Sequence, residues 1–153
     1  MYKRILVAID SDEPSSRVLE EAVKFAKDQQ AWVKLLHVMG ENISAWQNAG
    51  WTGVTDTEED HATIETVQKF MEGAQQLFRD AGVETEAMML EKIAVEGLAK
   101  VIIEQANQWS ADLIIVGTHG RHGFGHLISG SVAEGVIRAS PLPVLVVRGI
   151  PEG

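Results

Sequence analysis

The chain has 153 residues, of which 45% are hydrophobic and 23% charged, with a formal net charge of −9 and no cysteine. That length supports one domain with a sizeable core. The charge argues against a nucleic-acid partner, which needs a basic surface, and the missing thiols exclude disulfides, thiol catalysis and thiolate metal sites. Met1-Tyr-Lys-Arg4 is followed by only five apolar residues before Asp10, shorter than the core of a signal peptide. No apolar run approaches a membrane span. The expectation is a cytoplasmic protein with a single domain over residues 1–153, binding neither nucleic acid nor membrane.

Ile5-Leu-Val-Ala-Ile9 reads as a buried strand. Asp10-Ser-Asp-Glu-Pro14 then suits a helix start, with a cap oxygen at Ser11 or Asp12 and a proline in the first turn. Val18, Leu19, Ala22, Val23, Phe25 and Ala26 give that helix an apolar face. Trp32 to Met39 is a second strand, and Gly40 to Thr55 a long loop carrying Trp46 and Trp51. Asp56 to Asp60 opens a long helix with Ile64, Val67, Phe70, Met71, Ala74, Leu77, Phe78 and Ala81 on one side. Ile64, Val67, Met71, Ala74, Leu77 and Phe78 are expected in the core rather than at a partner groove. Gly82 is placed to end the helix, and Val83 to Leu90 reads as a third strand. A third helix carries Leu98, Val101, Ile102 and Ala106 and stops near Trp109; Ala111 to Val116 is a fourth strand. After a glycine-rich loop, Val132 to Arg138 reads as a helix, which Ser140-Pro-Leu-Pro143 breaks before a fifth strand, Val144 to Val147.

Strands that alternate with helices and read as short continuous apolar runs imply a parallel sheet covered on both faces. The fold expected is α/β, a doubly wound five-stranded parallel sheet of Rossmann-like architecture with strand order 3-2-1-4-5. Ligands of such sheets bind beyond the carboxyl ends of the strands, where strand order reverses. With strands one and four as central neighbours, Asp10 and Gly117 converge on that crevice.

The loop itself runs Gly117-Thr-His-Gly120-Arg-His-Gly-Phe-Gly-His-Leu-Ile-Ser-Gly130-Ser131. A strand, glycines and a helix start in that order form a place to hold phosphate, because helix-terminal N–H groups carry partial positive charge. Arg121 adds a charge-assisted donor. Gly125 to Ser131 has the glycine spacing of a Walker loop but a serine where the lysine belongs. The glycines at 117, 120, 123, 125 and 130 do not fit G-x-G-x-x-G either. A response regulator is excluded by Leu90-Glu91 and Val147-Arg148, and an ATP pyrophosphatase by Asp10-Ser-Asp12.

The spacing G-x2-G-x9-G-S resembles that of the universal stress protein family. Arg4 to Asp10, Ala111 to Arg121, Gly130 to Glu134 and Pro143 to Val147 are similar to that family's segments, so the resemblance spans essentially the whole chain. The retained glycines are similar to those of the family's ATP-binding members. By that resemblance Asp10 and Val38 border the adenosine, and Val116, Gly117 and Gly120 line the ribose and α-phosphate, with Ile9, His119 and Arg121 also expected among the nucleotide-binding residues. Gly130, Ser131 and Val132 hold the outer phosphates. Mg²⁺ is expected through the phosphates; no protein ligand is assigned to it, Asp10 being the one candidate. The family commonly has Gly-Ser where this chain has Ser11-Asp12, and often a hydroxyl where it has Ala133.

Each of these residues also has a plainer reading. Ser131 and Glu134 match an S-x-x-E capping box. Asp10 could simply end a strand, and Arg121 stand in solvent. His119, His122 and His126 are read as solvated rather than as a metal site. Hydrolysis would need a group to position water, and none stands out. The leading function is a non-catalytic, ATP-binding sensor or regulator of the stress response; the alternatives are a slow ATPase or a nucleotide-free dimeric scaffold. By the same resemblance a homodimer is expected through Val144, Leu145, Val146 and Val147.

Overall fold

The computed structural model describes residues 1–9, 16–40, 57–93, 97–118 and 127–148. Among the described residues there are five strands: β1 (Arg4–Ile9), β2 (Trp32–Gly40), β3 (Thr85–Ile93), β4 (Leu113–Thr118) and β5 (Val144–Arg148). Four helices alternate with them: α1 (Ser16–Gln29), α2 (Thr57–Asp80), α3 (Leu98–Gln108) and α4 (Leu127–Ala139). All pairings are parallel and the order is β3-β2-β1-β4-β5, as expected.

Alternate residues of the central strands face opposite sides of the sheet, and each side is buried. Ile5, Val7, Ile9, Leu113 and Ile115 join Leu19, Ala22 and Ala26 of α1 and Val67, Met71, Ala74 and Phe78 of α2. Leu6, Ala8, Ile114 and Val116 join Leu98, Ile102 and Ala106 of α3 and Val132, Ala133 and Val136 of α4. This double burial is why β1 and β4 read as unbroken apolar runs rather than alternating ones. Val67, Met71, Ala74 and Phe78 of the α2 stripe are core as expected and Phe70 and Ala81 pack partly buried against them, whereas Leu77 is 45% exposed. On the other face, a Cβ at Gly135 of α4 would lie 2.8 Å from the Ala99 Cβ of α3. That glycine sets how closely the two helices cross.

Three helix-to-strand junctions share one geometry. Gln30, Gly82 and Ser110 all have positive φ, at 57°, 83° and 62°. Each donates its N–H to a carbonyl three residues back, and the next residue donates to one five back: Ala31 to Ala26, Val83 to Phe78, and Ala111 to Ala106. These are Schellman closures, with a buried apolar residue just past the left-handed one. They correct two strand boundaries. Val83 and Ala111 close helices, so β3 begins only at Thr85 and β4 at Leu113.

The amino end of the sheet is tied by charge. The Asp112 carboxylate accepts N–H bonds from Lys3 (2.9 Å) and Arg4 (3.0 Å). Arg4 donates through Nε to the Trp109 carbonyl at 2.9 Å. Its guanidinium carbon lies 4.3 Å from the Trp109 ring centre and 5.3 Å from that of Trp32. Among the described residues no helix is long and apolar enough to cross a membrane.

Candidate functional site

The strand order reverses between β1 and β4, because the chain leaves β1 for β2 on one side and reaches β4 on the other. Ala8 pairs with Val116 at the end of the shared register. Ile9 and Gly117 are the next residues along each strand, so they sit at the carboxyl mouth of the switch point, where ligands of open α/β sheets bind.

Two helices begin at this mouth. α1 follows β1 and packs on one face of the sheet; α4 follows β4 and packs on the other. Their first-turn N–H groups lack partners within the helix, and both macrodipoles put their positive ends at the same edge. An anion there gains from both, which matters in a chain of net charge −9.

Gly117 shows how closely α1 approaches. A Cβ on it would lie 2.7 Å from Val18 Cγ2 and 3.0 Å from Cγ1. Its φ lies outside the left-handed region, so the backbone alone does not require glycine.

The expected site residues that are described divide into three groups. Ile9, Val116 and Gly117 lie together at the mouth; Ile9 is 3% exposed on the α1 face and Val116 3% on the α4 face. Val38 lies two residues before the end of β2, one strand away, opposite Leu90 and just before an irregularity in the β2–β3 register. Gly130, Ser131 and Val132 lie on α4. Asp10, His119, Gly120 and Arg121 fall outside the described residues, as do Ser11, Asp12, Trp46, Trp51, His122 and His126.

The helix start is corrected. α4 begins at Leu127, not at Val132, so Gly130 is its fourth residue and Ser131 its fifth. Gly130 then stands at the edge of the helical hydrogen-bond ladder, and the Ser131 and Val132 amides lie inside it. For the same reason Ser131-x-x-Glu134 is not a capping box, since a cap precedes the first turn. Val132 is 5% exposed and packs with Leu6, Ala8 and Val116, so its side chain belongs to the core. Ala133 lies in the same cluster, which gives its lack of a hydroxyl a packing reason.

Sequence pattern assigned no role to His37. It is 1% exposed and stands in register with Ile9 on one side and Met89 on the other. A single imidazole inside the apolar run Leu35-Leu-His-Val38 was the available signal.

This is an open doubly wound sheet whose central crevice is flanked by two helix N-termini. The model of the universal stress protein family matches residues 1–148, and the chain belongs to that family. Universal stress protein A homolog 2 of Coxiella burnetii is 36% identical over 149 residues, covering 96% of this chain and 95% of that protein. A universal stress family structure from Burkholderia pseudomallei superposes with a TM-score of 0.70 at 26% identity, covering 95% of this chain and 96% of that one. A universal stress protein from Archaeoglobus fulgidus, solved in complex with dAMP, shares the fold at a TM-score of 0.63 and 24% identity, covering 95% and 98%.

Proposed function

We propose that this universal stress protein binds ATP at the mouth between β1 and β4, and that the bound nucleotide biases its conformation or a partner surface without being hydrolysed. The observation that carries the reading is the meeting of Ile9 and Gly117 at the switch point, with α1 and α4 starting on either side. The G-x2-G-x9-G-S spacing between Gly117 and Ser131 spans that mouth and the first turn of α4. The dAMP complex of the Archaeoglobus fulgidus protein supports the reading at the level of the scaffold: a chain with this fold holds an adenine nucleotide.

In this proposal Ile9 and Val38 border the adenosine, with Asp10. Val116, Gly117, His119, Gly120 and Arg121 follow the ribose and α-phosphate. The outer phosphates meet main-chain N–H groups of the first turn of α4, Gly130 among them, with Ser131 and Val132 behind. Mg²⁺ fits as a counter-ion carried by the phosphates, where it would neutralise charge. The protein's own part is to supply oriented N–H donors and a close backbone. Two copies are proposed to pair through β5, the edge strand, whose Val146 is 37% exposed.

The test is to purify the protein without added ligand, denature it and chromatograph the released nucleotide. Recovered ATP is the expected result. Recovered ADP would favour the slow ATPase over the sensor. No nucleotide, together with no heat on titrating Mg-ATP, would leave only the scaffold.

A further inference from the structure

We propose that Val18 is a positioning residue for the crevice, and that residue 117 is glycine so that α1 can seat against β4 through it. The inference rests on the nucleotide reading above. A glycine at a phosphate loop is ordinarily taken as making room for the ligand. Here the space that a side chain would fill is already occupied by protein.

The Val18 γ-carbons stand 2.7 and 3.0 Å from where a Cβ on residue 117 would be, the first a separation that real Cβ atoms essentially never show and the second tighter than ordinary contact. Val18 is 6% exposed, so it has no solvent to swing into. As a β-branched residue on a helix it also has essentially one rotamer. It is the third residue of α1, so the contact falls on the first turn. Further along, Leu19, Ala22 and Ala26 hold the helix in the core beneath. A methyl group at 117 would therefore lift the start of α1 while its remainder stayed in place. The first turn of the helix, and the positive end of its dipole, would move off the mouth.

The test is a size-swap cycle with wild type, Gly117→Ala, Val18→Ala and the double variant, each titrated calorimetrically with Mg-ATP and unfolded in urea. Removing two methyl groups at 18 makes room for the one added at 117, a near volume-conserving exchange. Gly117→Ala is expected to weaken Mg-ATP by about tenfold or more, and the double variant to return within about threefold of wild type. The affinity is read under conditions where all four proteins are folded, so a purely structural loss would move the urea midpoint and not the dissociation constant. If the double variant binds as weakly as Gly117→Ala, residue 117 is glycine for the ligand and the Val18 inference falls, while the nucleotide reading stands. If wild type itself does not bind Mg-ATP, both fall. Should Gly117→Ala not fold, Val18→Ile brings an extra methyl to the same contact from the helix side. Weakened Mg-ATP binding by that variant supports the inference, and unchanged affinity overturns it.

Discussion

The three Schellman junctions form an internal experiment on backbone strain. Gln30, Gly82 and Ser110 occupy equivalent left-handed positions, yet only one of them is glycine. An L-residue in that conformation costs roughly 1–2 kcal/mol, whereas glycine adopts it freely but loses more entropy on folding, roughly 0.5–1 kcal/mol. The difference predicts that Gln30→Gly and Ser110→Gly each stabilise the protein by about 0.5–1 kcal/mol. Both side chains are exposed, so little packing is lost in exchange. Together they should add about 1–2 kcal/mol and raise Tm by about 3–6 °C for a chain of this size. Gly82→Ala has the opposite sign, a loss of about 1 kcal/mol, and nothing lies within 4 Å of the added Cβ to confuse the cause. Urea unfolding followed by far-UV circular dichroism measures all three. Losses at both Gln30→Gly and Ser110→Gly, or a gain at Gly82→Ala, would refute the strain argument.

Two further perturbations separate the ends of the molecule. Arg4→Ala removes one charged hydrogen bond and stacking on two tryptophans, a loss of about 2 kcal/mol in urea unfolding. Because this cluster lies at the amino end of the sheet, the dissociation constant for Mg-ATP should not change; a shift beyond about threefold would contradict that separation. Val146→Asp places a charge on the exposed edge of β5 and should halve the mass found by light scattering. Wild type already at the mass of one chain would remove the proposed dimer.

Much of the fold was legible because both faces of the sheet are buried. Double burial makes Ile5 to Ile9 and Leu113 to Val116 continuous apolar runs, which proline and glycine then punctuate. The strand boundaries at Val83 and Ala111 were not legible, since an apolar residue that closes a helix looks like the first residue of a strand. The start of α4 was missed for a related reason: Leu127-Ile-Ser lies among glycines and histidines that resemble a loop, while Ser131 and Glu134 imitate a cap. Within the candidate site, the strand end at Gly117 could be read locally. Its contact with Val18 could not, because it joins residues distant in sequence through the packing of α1 on the sheet. The same holds for Gly135 against Ala99, and for Arg4 between Trp32 and Trp109.

The central claim is that this crevice holds ATP at the first turn of α4. Calorimetric titration of Mg-ATP into wild type and Gly130→Glu tests it most directly, because the substitution puts a carboxylate where the outer phosphates are proposed to lie. Saturable binding by wild type, lost in a Gly130→Glu variant that keeps the native circular dichroism spectrum, is the predicted result. Equal affinity in the two proteins would contradict the placement of the site, and no binding by either would contradict the function.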